Sequence, residues 1–233
     1  MQDVVPKRIC FVGLFDILGF SNIVKNSQLG SVWKAYNDIK TSASFIKSNL
    51  ESLFKKKIVN VENFSDTFLI YTSDCNNKNE EDIDGYFNSL LGVCDALFHS
   101  ANSNGIPIRG AITVGEVIVN EGIHIGKPIV EAYEMEQSQD WIGCWISDET
   151  IKFISAKLLE RHTKGNLILR YKVPFKSGEI KDCYVFNWVQ LPFESDYDTG
   201  VLRVKPGHDW SAERKHLNTR NYIKHVTGTI FKK

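Results

Sequence analysis

No stretch of this sequence stays apolar for the roughly 20 residues that a bilayer-spanning helix needs. Lys7 and Arg8 precede only a short apolar run, with no long hydrophobic region and no small-residue cleavage site, so secretion is not expected. Charge of one sign is missing as well. The 28 Lys and Arg residues equal the 28 Asp and Glu residues, so no global field draws the chain to nucleic acid or to an anionic membrane. The local basic runs Lys55-Lys56-Lys57 and Lys232-Lys233 read as a solvated helix end and a tail. Cysteine is sparse and unpatterned. Cys10, Cys75, Cys94, Cys144 and Cys183 are odd in number, widely spaced and without a CxxC pair, so neither a zinc site nor a disulfide framework is suggested. Buried free thiols in a reducing cytoplasmic compartment are expected instead. Neither GxGxxG nor GxxxxGK[ST] occurs, which argues against Rossmann and P-loop chemistry. The six histidines have no ligand spacing, and no repeat or low-complexity segment is present.

What is present suits a globular domain. Hydrophobic residues make up 42% of 233, enough for one core-bearing domain with a short extension. Residues 8–15 form a continuous apolar run, a buried strand that ends at Asp16. From Leu29 to Phe54, apolar residues recur every three or four positions, the spacing of a long amphipathic helix. Two β-rich runs between Lys57 and Thr72 meet at Asn63-Phe64-Ser65-Asp66, a hairpin. Glu80, Glu81 and Asp82 open a second helix, at the end where negative charge is favoured. Strands are expected near 106–114, 117–120, 141–147, 166–173 and 182–188. Helices are expected from Gly126-Lys127-Pro128 to about Gln139 and after Ser147. Trp141 and Trp145 read as core. After Leu191 the pattern weakens, and a last helix begins near Ser211. The domain reading is one main unit over 1–190 and an extension over 191–233 packed on it. The fold class is α+β, a palm-like domain with a mainly antiparallel sheet covered by helices.

Two acids stand in unusual places. Asp16 closes an apolar strand, and Asp66 sits at a hairpin turn between Phe64 and Phe68. A carboxylate at a buried strand end needs a partner or a cation. Two facing carboxylates repel unless a divalent ion bridges them. Phe15-Asp16-Ile17-Leu18-Gly19-Phe20-Ser21 resembles the first-metal motif of class III adenylyl and guanylyl cyclases. Asn63-Phe64-Ser65-Asp66-Thr67-Phe68 resembles their second-metal hairpin, and residues 108–117, which contain Arg109-Gly110, resemble their Arg-x-Gly strand-turn. Lys176, eight residues before Tyr184, falls where the family places a triphosphate-binding lysine.

The resemblance implies a nucleotide cyclase with two divalent cations, Mn²⁺ or Mg²⁺, held by Asp16, Asp66 and the backbone of Ile17. It implies catalytic roles for Asp16, Asp66 and Lys176, and phosphate contacts from Gly19, Phe20, Ser21 and Lys176. It also implies a homodimer with composite sites, acting on a nucleoside triphosphate. Glu62, four residues before Asp66, matches a base-reading position, and Ile123 falls near a second one; Arg109 is a further candidate. The helix departs from the family pattern, because Val130 stands where Asn is usual and Glu134 where Arg is usual. The wording Gly126-x-x-x-Val130-x-Ala132-Tyr133-Glu134-x-Glu136 is similar to the pyrimidine cyclases of the Pycsar antiphage systems. That branch implies conversion of UTP to 3′,5′-cyclic UMP as a defence signal, with CTP as the competing substrate. A nucleotide-binding module without turnover is the rival of another class.

Overall fold

The computed structural model describes residues 6–120, 122–189 and 210–230. The chain opens with β1 (Arg8–Ile17), α1 (Phe20–Asn26) and α2 (Leu29–Phe54). The hairpin β2 (Val59–Phe64) and β3 (Thr67–Thr72) follows, then α3 (Glu80–Ser103), β4 (Ile108–Asn120), β5 (Ile123–Gly126) and α4 (Lys127–Ser138). Next come β6 (Cys144–Ile146), α5 (Asp148–Phe153), α6 (Ala156–Lys164), β7 (Ile168–Pro174), β8 (Ile180–Phe186) and α7 (Trp210–Ile230). The strands form one sheet in the order β2-β3-β1-β4-β6-β8-β7, with β5 folded against β4. Among the described residues only the β4–β6 pairing is parallel. The expected α+β class with a mainly antiparallel sheet therefore holds.

Alternation along β1 decides how the two faces are covered. Phe11, Phe15 and Ile17 join Phe68, Ile70 and the α2 and α3 residues Ile39, Ala43, Phe87, Leu90 and Phe98 in the main core. Leu14 points the other way and packs with Ala111, Ala132 and Met135 beneath α4. Each fully buried Phe or Leu here contributes roughly 1.5–3 kcal/mol by leaving water. Side-chain caps place the helix starts. Asn79 accepts from the Asp82 amide at 2.8 Å, Ser147 from Thr150 and Ser155 from Leu158. Such caps satisfy amide groups that the first helical turn leaves unpaired.

The structure differs from the sequence reading in three places. The expected strands at 106–114 and 117–120 are one strand, β4, because pairing with β1 from Ile17↔Ile108 to Arg8↔Val117 carries it through Gly115. The helix after Ser147 is two helices, since Ser155 starts a second one with its amide and hydroxyl on Asp84. β1 runs two residues further than the apolar run, so Asp16 is itself a paired strand residue. All five cysteines are buried and free. Trp141 is fully buried, with its ring 4.7 Å from that of Tyr222 in α7. Thr219 of α7 accepts from the Ile142 amide, and Arg214 and Asn218 bond Asp140. The connection at 190–209 and the tail at 231–233 lie outside the described residues. No helix among the described residues is long and apolar enough to cross a membrane.

Candidate active site

Asp16 lies near the C-terminal end of β1, opposite Thr67 of β3 and Arg109 of β4. Its parity with Leu14 turns its side chain to the α4 face of the sheet. Asp66 occupies the β2–β3 turn, which Ser65 closes in a left-handed conformation at φ 53°. The Ile17 amide donates to the Asp66 carbonyl at 3.1 Å, tying the two acid-bearing segments together. Burial pushes the Asp16 carboxyl up from 3.8 to about 7; the neighbouring charges of Glu136 and Asp66 add to the rise. Arg109 and a 3.5 Å hydrogen bond from the Thr67 hydroxyl oppose it. Protein cations therefore leave this acid cluster only partly compensated.

The cluster rests on a buried ion pair. Arg109 is 2% exposed and Glu136 of α4 is fully buried. The Arg109 Nε and Nη2 donate to Glu136 Oε1 at 2.7 and 2.5 Å, and its Nη1 donates to the Gln139 carbonyl at 2.6 Å. Gln139 donates in turn to the Gly110 carbonyl and accepts from the Trp141 indole. With its hydrogen bonds spent inside the protein, Arg109 anchors the end of α4 to the strand beside Asp16. Gly110 is required there, since a Cβ would stand 2.2 Å from the Phe15 ring and 2.6 Å from the Leu14 carbonyl oxygen. Sequence reasoning named Arg109 but missed its partner. Glu136 stands in a helix where an acid is ordinarily solvated, and only the pairing of α4 with β4 reveals it.

The other sequence-predicted residues are distributed around this centre. Gly19 adopts φ 72°, which glycine tolerates best, and turns the chain from β1 into α1. Phe20 packs toward Tyr36, with ring centroids 6.4 Å apart, and Ser21 is exposed. Glu62 lies opposite Leu69, which lies opposite Leu14, so it shares the face of Asp16 and is exposed there. Phe64 beside it is 85% exposed. Lys176 is held by its amide on the Ser138 carbonyl at the end of α4. Burial and then Arg109 lower its pKa, with Glu136 acting the other way. The strand order puts β4 and β6 between Asp16 and the β7–β8 turn that carries Lys176. Within one chain the two flank the end of α4 from different sides. Ile123, on β5, is exposed, as are Val130 and Glu134 on α4.

The donor set is all oxygen. Asp16, Asp66 and the Ile17 carbonyl suit a hard cation such as Mg²⁺ or Mn²⁺. No cluster of three or more His, Cys, Asp or Glu side chains poised for a metal occurs among the described residues. A bound ion would complete its shell with water and substrate phosphate, as Mg²⁺ commonly does.

No family model and no curated protein matches the sequence. Solved structures do. The guanylate cyclase domain of RhGC from Catenaria anguillulae, in complex with GTP, aligns with a TM-score of 0.52 at 16% identity, covering 77% of this chain and 97% of that one. The guanylyl cyclase Cya2 aligns at 0.51 and 14% identity, over 81% and 96%. The dimeric guanylyl cyclase domain of the RhoGC fusion protein from Blastocladiella emersonii aligns at 0.52 and 15%, over 77% and 97%. The chain thus has the fold of a class III nucleotide cyclase domain.

Proposed function

We propose that the protein is a pyrimidine nucleotide cyclase that converts UTP to 3′,5′-cyclic UMP and pyrophosphate. The observation that carries the cyclase part of this reading is the Asp16–Asp66 pair, left short of cationic partners on a cyclase-type sheet. In the reaction the ribose 3′-oxygen bonds to the α-phosphorus as the bond to the bridging oxygen of the β-phosphate breaks. The 3′-hydroxyl loses a proton, and pyrophosphate leaves. Asp16, Asp66 and the Ile17 carbonyl would hold two divalent ions, which supply Lewis-acid stabilisation of the phosphate charge and a more acidic 3′-hydroxyl. Arg109 and Glu136 act as positioning residues, holding α4 and β4 in register beside Asp16. Lys176 contributes a cation to the triphosphate, and the Gly19-Phe20-Ser21 turn lies beside the acids to border the phosphates. Holding the 3′-oxygen and phosphorus in line removes much of the barrier.

We assign the working unit as a homodimer with composite sites, since α4 covers its sheet face only in part. Exposed Val130, Tyr133, Ile123, Ile125 and Phe64 lie on α4, β5 and the β2–β3 hairpin around that opening. The uracil choice and a role in antiphage signalling rest on the helix wording around Val130–Glu136. Exposed Val130 and Glu134, in place of Asn and Arg, favour a second reading, a nucleotide-binding module without turnover. Incubation with each ribonucleoside triphosphate and Mn²⁺, analysed by mass spectrometry, separates the readings. Cyclic UMP is expected as the main product. Dominant cyclic CMP would move the assignment to a cytidylate cyclase, dominant cyclic AMP or GMP would overturn the pyrimidine reading, and binding without product would leave the module.

A further inference from the structure

α7 docks on the segment that joins α4 to β6, and it brings positive charge with it. The Asp140 amide donates to the Pro174 carbonyl and the Lys176 amide to the Ser138 carbonyl, both at 2.9 Å, with Gln139 bridged to Phe175 between them. Alternation along this short antiparallel ladder puts Asp140 and Lys176 on one face, as diagonal cross-strand neighbours. Asp140 is buried, and its Oδ2 accepts from Arg214 Nε of α7. Lys215, the next residue, stands with its Nζ 4.0 Å from Asp140 Oδ1, an ionic contact beyond hydrogen-bond length. Its side chain is only 18% exposed. One turn further on, Asn218 donates to the Asp140 carbonyl and Thr219 accepts from the Ile142 amide, which fixes the helix in place.

The charges gathered there do not balance. Glu136 is matched by Arg109, and Asp140 by Arg214. Lys176 and Lys215 add positive charge beyond those pairs, and they lie within electrostatic reach of each other. Two ammonium groups held close repel, and an anion placed against both relieves the repulsion. Screening is weakened because Lys215 is largely covered and Lys176 is partly desolvated. A polyanion with charge spread over neighbouring oxygens suits two such cations better than a lone carboxylate does. The triphosphate of the proposed substrate is that kind of anion. α4 itself is short of a cation, since Glu134 stands where arginine is usual. We propose that Lys215 of α7 binds the β- and γ-phosphates together with Lys176, as a second cation on the departing pyrophosphate. The proposal takes its triphosphate from the cyclase reading, but pyrophosphate binding is measurable without turnover.

The test compares the full chain with Lys215→Gln, Lys215→Arg and Lys224→Ala, the last removing an exposed cation elsewhere on α7. Inorganic pyrophosphate is titrated calorimetrically with Mg²⁺ present, at low and at high salt. Melting temperatures are recorded alongside, and kcat/KM is measured for whichever nucleoside triphosphate is turned over. Lys215→Gln keeps most of the stem and removes the charge. It should weaken pyrophosphate binding about tenfold, flatten the salt dependence and lower kcat/KM by about tenfold or more, at a nearly wild-type melting temperature. Lys215→Arg should restore most of the binding, and Lys224→Ala should match wild type. A wild-type chain without pyrophosphate affinity overturns the proposal. So does a Lys215→Gln chain that binds as wild type does, even if it melts lower, because Lys215 would then only balance Asp140. An equal loss in Lys224→Ala overturns it as well, by tracing the effect to net charge. Pyrophosphate binding that depends on Lys215, with no cyclic product from any nucleotide, would defeat the cyclase reading and leave this site standing.

Discussion

Replacing Asp16 with Asn should make the metal-free protein more stable while abolishing its activity. The Asp16 carboxyl titrates near 7 in the folded chain against 3.8 as the ordinary value, chiefly through burial and then through Glu136 and Asp66. Its folded pKa is raised, so the folded state binds the extra proton between those values. Stability accordingly falls as pH rises from about 4 to about 7, then stays level. At pH 8 the full loss is at most about 4 kcal/mol. Water at the partly exposed carboxylate screens it to an expected 1–3 kcal/mol, roughly. Asparagine does not titrate and keeps the shape. In buffer with chelator at pH 8, Asp16→Asn should melt about 4–8 °C above wild type, taking about 2 kcal/mol and the usual shift for a domain of this size. The gap should narrow on descending to pH 4, where the folded carboxyl is protonated and the unfolded one nears its own midpoint, and close below it. Millimolar Mn²⁺ should raise the wild-type midpoint and leave the variant unmoved. A variant less stable than wild type at pH 8, or a difference that does not change between pH 4 and 8, would refute the reasoning.

Four other outcomes follow from the same geometry. Asp66→Ala should lower cyclic-nucleotide formation by about 10²-fold or more, the cost of a lost electrostatic group at the transition state; turnover near wild type with unchanged metal dependence would remove Asp66 from the site. Glu136→Gln leaves the buried Arg109 charge without its counterion, and chemical denaturation should show a loss of about 3 kcal/mol. Gly110→Ala forces a methyl group into the Phe15 ring, with an expected destabilisation of about 1–3 kcal/mol by the same measurement. Mixing inactive Asp16→Ala and Lys176→Ala chains should restore partial activity, because a composite dimer then holds one intact site; no recovery, together with an active monomer by sedimentation, would rule the dimer out.

Local pattern carried much of the architecture. The three-to-four spacing from Leu29 to Phe54 marks α2, and the acidic opening at Glu80 marks α3, because a helix reports its buried face and its N-terminal charge in consecutive residues. Alternation and turn residues did the same for the hairpin that presents Asp66, and an apolar run ending in an acid singled out Asp16. Partnership between distant segments was not legible. Nothing in residues 106–120 says that pairing with β1 carries one strand through Gly115, or that β6 joins β4 in parallel. Nor does the sequence say that Glu136 leaves water to meet Arg109, or that His124 turns in to Tyr71. Such contacts join residues 27 and 53 positions apart, and their energy depends on register and burial, which exist only once the sheet has formed. The sequence by itself therefore determined α2, α3, the hairpin and where the two acids stand on strand and turn. The tertiary structure decided which charges are buried, which are compensated and which face of the sheet stays open.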